Sequence, residues 1–186
     1  MSDYTTQHQT IQLHDLQFVP FLDELRIQER IKALGRIISA DYAGKRPVLL
    51  GVLNGAFMFV ADLMRALEID CEVSFVKLRS YEGTQSSGEV ETLLGLDTDI
   101  EGRHVLLVED IVDTGNTLHY FLPDLKKLGP ASVELAALLI KPEALQHPLD
   151  IRYLGFEIEN RFVVGYGLDY NGLGRNLPAI YQLKKA

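Results

Sequence analysis

Cysteine is nearly absent from this sequence. Cys71 stands alone among 186 residues, so no internal disulfide can form and a reducing compartment suits the chain. Basic residues are outnumbered, 18 Lys and Arg against 26 Asp and Glu, for a formal net charge of −8 and a pI of about 5.1. A chain without a basic surplus is poorly suited to general nucleic-acid or acidic-membrane binding, which needs a positive face. It is not barred from a small anion, because a local cluster of N–H donors can hold phosphate inside an acidic protein. No apolar run approaches the roughly 20 residues of a membrane span. The opening "MSDYTTQHQT" lacks both the basic and the apolar region of a signal peptide. These absences predict a cytoplasmic protein with no nucleic-acid and no membrane partner. Internal repeats, low-complexity tracts and long linkers are missing too, so the length predicts one domain. What is present is 47% apolar residues, enough for a core and too much for a disordered chain.

The apolar residues fall into alternating helical and extended patterns. Residues 22–38, "LDELRIQERIKALGRII", carry Leu22, Leu25, Ile27, Ile31, Leu34, Ile37 and Ile38, most of them on one helical face. Residues 55–69 and 117–128 read as further helices, the second closed by Gly129 and kinked at Pro123. Short apolar runs over residues 46–53, 71–78, 104–110, 132–140 and 151–158 read as strands. Strands alternating with helices predict an α/β fold, a mainly parallel twisted sheet flanked by helices. Residues 80–92, "SYEGTQSSGEVET", are polar and glycine-bearing with no apolar period, and predict a long mobile loop of the functional kind. The final stretch, "NRFVVGYGLDYNGLGRNLPAIYQL", is rich in aromatics and glycine and predicts a small C-terminal hood over the sheet edge. The expected division is a core over residues 20–145 and a hood over residues 146–186 joined by N-terminal residues.

In parallel sheets ligands sit beyond the carboxyl ends of the strands. Those ends are Leu53, Asn54 and Gly55; Glu109 and Asp110; and Lys141. Residues 105–118, "VLLVEDIVDTGNTL", set two adjacent acids after an apolar run and then the turn Asp113, Thr114, Gly115, Asn116, Thr117. Glycine lets the backbone approach a ligand, and the N–H groups at the following helix start lack helical partners. With two threonine hydroxyls they suit a phosphate dianion, although "DTGNT" alone reads equally as a plain capping turn. Glu109 and Asp110 alter the balance. Ionised carboxylates accept hydrogen bonds from vicinal hydroxyls and can hold hydrated Mg2+. A sugar 5-phosphate with free 2- and 3-hydroxyls satisfies both halves.

This stretch resembles the phosphoribosyl-pyrophosphate (PRPP) signature of the type I phosphoribosyltransferases. "GVLNGAFMF", "KLRSY", "LLIKPE" and "GFEIENRFVVGYGLDYNGLGRNLP" follow in order and are similar to segments of the hypoxanthine-guanine phosphoribosyltransferases, over residues 45–180. The resemblance implies that Glu109 and Asp110 bind the ribose hydroxyls and that Asp113, Thr114, Gly115, Asn116 and Thr117 cradle the 5-phosphate. It gives Asp113 a catalytic role as proton acceptor or donor near purine N7. Leu53, Asn54 and Gly55 would form the pyrophosphate loop, often with a cis peptide, and Arg175 would contact pyrophosphate. Lys141 would meet the purine 6-oxo group, Phe162 would stack on the base, and backbone groups around Val163 would read its edge. Asp169 would lie by the purine and help hold Mg2+ with Glu109 and Asp110, while Ser80 and Tyr81 would head the mobile loop.

The activity implied is transfer of 5-phosphoribosyl from PRPP to hypoxanthine or guanine, with Mg2+ as cofactor and a homodimer or homotetramer as the assembly. Asn54 and Asn116 depart from the pattern, since many relatives carry Lys or Arg at the first and some carry Lys at the second. A xanthine-preferring transferase and a PRPP- or nucleotide-sensing regulator on the same fold are the alternatives.

Overall fold

The computed structural model describes residues 9–80 and 90–185, and for residues 79–80 and 90–94 the backbone alone. In chain order the elements are β1 (Ile11–Leu13), β2 (Leu16–Leu22), α1 (Glu24–Asp41), β3 (Val48–Leu53), α2 (Phe57–Ala66), β4 (Glu72–Ser80) and β5 (Val90–Leu94). There follow β6 (His104–Val112), α3 (Asn116–Lys127), β7 (Ser132–Ile140), β8 (Tyr153–Glu157), β9 (Val163–Val164) and β10 (Ile180–Leu183).

The larger sheet has six strands in the order β5-β4-β3-β6-β7-β8. β4, β3, β6, β7 and β8 run parallel, and β5 closes one edge antiparallel to β4. The uninterrupted apolar run of β6 follows from this arrangement. Val105, Leu106, Leu107 and Val108 are all fully buried, because helices cover both faces of a parallel sheet. Leu106 and Val108 join the cluster under α1 and α2, while Val105 and Leu107 join the cluster under α3. From β3 the chain crosses by α2 to β4 on one side, and from β6 it crosses by α3 to β7 on the other. The direction of winding therefore reverses between β3 and β6, where such sheets open a ligand crevice.

α1 begins where the Asp23 carboxylate accepts the Arg26 N–H at 2.8 Å, a side-chain N-cap. Its buried stripe is Ile27, Ile31, Leu34 and Ile38. Leu25 and Ile37, counted with that face from the sequence, are instead exposed at 68% and 49%, each lying off the stripe at 100° per residue. Leu22 belongs to β2 rather than to the helix. α3 continues through Pro123 to Lys127.

The segment over residues 80–92 is not all loop. Ser80 ends β4, and residues 90–92 belong to β5, paired in register with Ser80, Arg79 and Leu78. Tyr81 lies outside the described residues. The polar composition there suggested loop because an edge strand needs no apolar face.

A smaller antiparallel sheet, β1-β2-β10-β9, packs its own core of Phe18, Val164, Ala179 and Tyr181. Its two N-terminal strands come from residues that gave no clear sequence pattern. In β2, Phe18 and Leu22 are buried, but Pro20 interrupts the ladder, and the pairing of β10 shifts register opposite it. β8 lies in the larger sheet, so this smaller sheet draws on chain beyond Glu157 together with β1 and β2.

Candidate active site

The cleft opens at the carboxyl ends of β3, β6 and β7. β3 stays hydrogen-bonded to β6 as far as the pair Gly51 and Val108, and beyond that point it pairs with β4 alone. The strands part there, and Glu109 and Asp110 occupy β6 at the split while β6 keeps its ladder with β7 to Val112. The two acids thus sit within the strand rather than past its end, Asp110 buried and Glu109 half-buried.

The Asp110 side chain is buried, and burial pushes its pKa up to about 6 despite the Ile111 N–H that donates to Oδ1 at 2.8 Å and the nearby Arg175 charge. Burial, and then the neighbouring Asp110 charge, push Glu109 well above the usual carboxylate range. Glu109 Oε2 is sequestered with no hydrogen-bond partner among the described residues. A buried acceptor with no donor is costly, and the pair is relieved by a ligand bringing hydroxyl donors or positive charge.

The turn leaving β3 begins with a cis peptide between Leu53 and Asn54. Asn54 is exposed. Gly55 then passes so close to Asp110 that a Cβ at 55 would fall 1.6 Å from Asp110 Oδ2. Only glycine allows this approach.

After β6, Asp113 is half exposed and Thr114, Asn116 and Thr117 are partly buried. Gly115 takes φ +77° as the N-cap of α3, and no side chain caps the helix. Gln146 N–H donates to the Thr114 carbonyl at 3.0 Å, tying the segment after Lys141 to this turn. The Asn116 side-chain oxygen is buried without a partner among the described residues.

Lys141 follows β7 directly. Its side chain is 7% exposed and its Nζ lies 2.6 Å from Asp113 Oδ2. The Lys141 N–H also donates to the Val112 carbonyl at 2.9 Å, which joins the ends of β6 and β7.

The far wall comes from the chain around the smaller sheet. Phe162 is 41% exposed and sits 6.0 Å from Phe18 and 5.8 Å from Tyr170 between ring centres. Val163 lies in β9 beside it. Asp169 Oδ1 is 2.6 Å from an Arg175 guanidinium nitrogen, and Asp169 Oδ2 accepts the Gly172 N–H at 2.7 Å. A second Arg175 nitrogen donates to the Gly167 carbonyl at 2.7 Å.

Gly55, Asp110, Asp113, Lys141, Phe162 and Arg175 together line a cleft of about 170 Å³, with Val163 and Asp169 also on its wall. The sequence missed two further lining residues, Ile111 and Leu168; their only signal was position, one after Asp110 and one before Asp169. Glu109, the turn over residues 114–117, Leu53 and Asn54 border the cleft through the chain rather than line it.

The sequence grouped Glu109, Asp110 and Asp169 as metal ligands. Among the described residues no three such side chains converge to hold an ion, and Asp169 is engaged by Arg175. The donor set fits a hard cation only in another way. Mg2+ is commonly held by one or two carboxylates with water and substrate oxygens rather than in an all-protein cage, and the unpartnered Glu109 oxygen leaves an acceptor free.

A parallel sheet with adjacent acids at its switch point, a glycine turn at a helix start and a buried lysine beside it are the arrangement expected of a phosphoribosyl transferase. The chain belongs to that family, matching the phosphoribosyl transferase domain over residues 21–171. Within it the chain stands with the hypoxanthine-guanine phosphoribosyltransferases. It is 45% identical to the protein of that name from Streptococcus agalactiae serotype V over 84% of this chain and 87% of the other. It is 44% identical to the bifunctional protein TilS/HprT of Listeria innocua over 92% of this chain, and spans 26% of that longer protein. The crystal structure of a hypoxanthine phosphoribosyltransferase from Staphylococcus aureus superposes with a TM-score of 0.85 at 40% identity, covering 89% of this chain and 90% of the other.

Proposed function

We propose that this chain transfers the 5-phosphoribosyl group of PRPP to hypoxanthine or guanine, giving IMP or GMP and pyrophosphate. The observation that carries the reading is the pair Lys141 Nζ and Asp113 Oδ2, 2.6 Å apart on the wall of one cleft with Phe162. A 6-oxopurine presents O6 and N7 side by side, so one base meets both groups. Lys141, a donor only, favours a 6-oxo over a 6-amino purine. Phe162 offers a stacking face, and the backbone at Val163 the base edge.

The reaction breaks the bond from ribose C1 to the pyrophosphate oxygen and forms one from C1 to purine N9. Asp113 takes the N7 proton as the N9 lone pair attacks, and Lys141 stabilises the negative character that develops on O6. The C1 centre becomes oxocarbenium-like as pyrophosphate leaves. Glu109 and Asp110 orient the sugar through its 2- and 3-hydroxyls. Thr114, Gly115, Asn116 and Thr117 hold the 5-phosphate with backbone and hydroxyl donors at the uncapped start of α3. Leu53, Asn54 and Gly55 meet the pyrophosphate through backbone groups, since Asn54 brings no charge, and Arg175 supplies the cation. Mg2+, held by one or both of the ribose acids Glu109 and Asp110 with water and substrate oxygens, would neutralise the leaving pyrophosphate as a Lewis acid.

The protein acts in the cytoplasm as a homodimer or homotetramer under this reading. It is tested by steady-state turnover of hypoxanthine, guanine and xanthine with PRPP and Mg2+. Turnover of the first two is the expected result. PRPP binding without turnover would make the chain a sensor, and exclusive use of xanthine would move the base assignment.

A further inference from the structure

Residues 165–167 run through the left-handed region, with φ of +99°, +50° and +98°. Glycine takes this conformation freely at 165 and 167, but Tyr166 between them carries a Cβ and takes it at a cost. Its ring is 1% exposed, and the residue does not line the cleft. The Tyr166 hydroxyl donates to Asp62 Oδ2 on α2 at 2.6 Å, and Gln28 on α1 donates to the same oxygen at 2.6 Å. Packing alone does not need this hydroxyl; phenylalanine would fill the same space.

The neighbours of Tyr166 show what the bond holds in place. A Cβ at Gly167 would fall 2.1 Å from the Gly55 carbonyl oxygen, so this strap lies directly against the turn leaving β3. The Gly167 carbonyl accepts from Arg175, and the Gly167 N–H donates to the Arg175 carbonyl at 3.0 Å. Asp62 rides on the helix that begins two residues after Gly55. One hydroxyl therefore ties the strap that hydrogen-bonds Arg175 to the helix that follows the turn leaving β3.

We propose that Tyr166 is a positioning residue for the pyrophosphate end of the site, acting through Asp62 and Gln28. The inference rests on the transferase reading above. It assigns the tyrosine hydroxyl a role in PRPP use distinct from the contacts to the purine 6-oxo group and N7, because Lys141 and Asp113, which follow β7 and β6, share no hydrogen bond with Tyr166, Asp62 or Gln28 among the described residues.

The test is a kinetic comparison of the full chain with Tyr166→Phe, Asp62→Asn and the double variant. Loss of a hydrogen bond to a charged acceptor, felt at the site, raises the KM for PRPP about five- to tenfold, with the KM for hypoxanthine changed less than about twofold. Asp62→Asn keeps an acceptor oxygen and falls between wild type and Tyr166→Phe, and the double variant adds nothing to Tyr166→Phe, as coupled residues require. An unchanged PRPP KM overturns the proposal. So does an equal rise in both KM values, or a loss confined to kcat per milligram, which is what a smaller folded fraction produces. A wild-type chain that does not turn over overturns the transferase reading and this inference together. Normal wild-type turnover with an indifferent Tyr166→Phe overturns this inference alone.

Discussion

Replacing Lys141 by methionine separates the base site from the fold. The side chain is 7% exposed and its partner Asp113 is 49% exposed. Methionine preserves most of the buried volume, so no large cavity forms. Removing a buried cation relieves its desolvation, and the half-exposed Asp113 carboxylate left behind is solvated, so the lost ion pair costs only about 1 kcal/mol of stability or less. Purine binding loses a hydrogen bond from a charged donor, about 1.5–3 kcal/mol, which is roughly a ten- to hundredfold weaker affinity. Calorimetric titration of GMP and IMP, with thermal unfolding in parallel, reads both quantities. PRPP titration serves as the internal control and changes little. Unchanged nucleotide affinity would remove Lys141 from the base site. A stability loss near 4 kcal/mol would show instead that its pairing with Asp113 is chiefly structural.

Asp113→Asn is expected to lower kcat far more than it raises the KM for PRPP, in steady-state assays; equal loss in both would confine Asp113 to phosphate binding. Gly55→Ala sets a Cβ 1.6 Å from Asp110 Oδ2, so the turn or the acid must move, and turnover falls at least tenfold while the midpoint of denaturant unfolding drops, an effect of overpacking worth about 1–3 kcal/mol. Asp110 has a folded-state pKa of about 6 against 3.8 for the free group. Its contribution to stability is thus fully present below pH 4 and lost as the pH rises through 6, on the order of 2–3 kcal/mol for the ligand-free protein. Denaturant unfolding from pH 4 to 8 measures that loss. Asp110→Asn is expected to flatten the slope and stabilise the ligand-free chain at neutral pH, and an unchanged slope would contradict the burial argument.

The sheet was legible because its strands carry long apolar runs flanked by helical periods, as in residues 104–110 and 132–140. Glu109, Asp110, Asp113 and Lys141 were legible because each stands within a few residues of a strand end. The smaller sheet was not. β1 is short, β2 is half exposed, and β2 finds its partner β10 at the opposite end of the chain, a pairing no local pattern encodes. Tyr166 was hidden for a related reason. "GYG" signals a tight backbone, but its meaning depends on Asp62 a hundred residues earlier. Asp169 and Arg175 were assigned separate tasks from sequence, while the fold joins them in one ion pair.

The parting of β3 from β6 above Gly51 and Val108 has a further consequence. Neighbouring strands stand about 4.8 Å apart, held by backbone hydrogen bonds. With β3, β6 and β7 side by side, the sheet acts, under the proposed reading, as a ruler laid across the substrate: pyrophosphate at one mark, sugar at the next, base at the third. The spacing belongs to the main chain, while each mark is written by the few residues that leave one strand. Base preference can then drift by substitution after β7 without recalibrating the grip on the sugar or the leaving group.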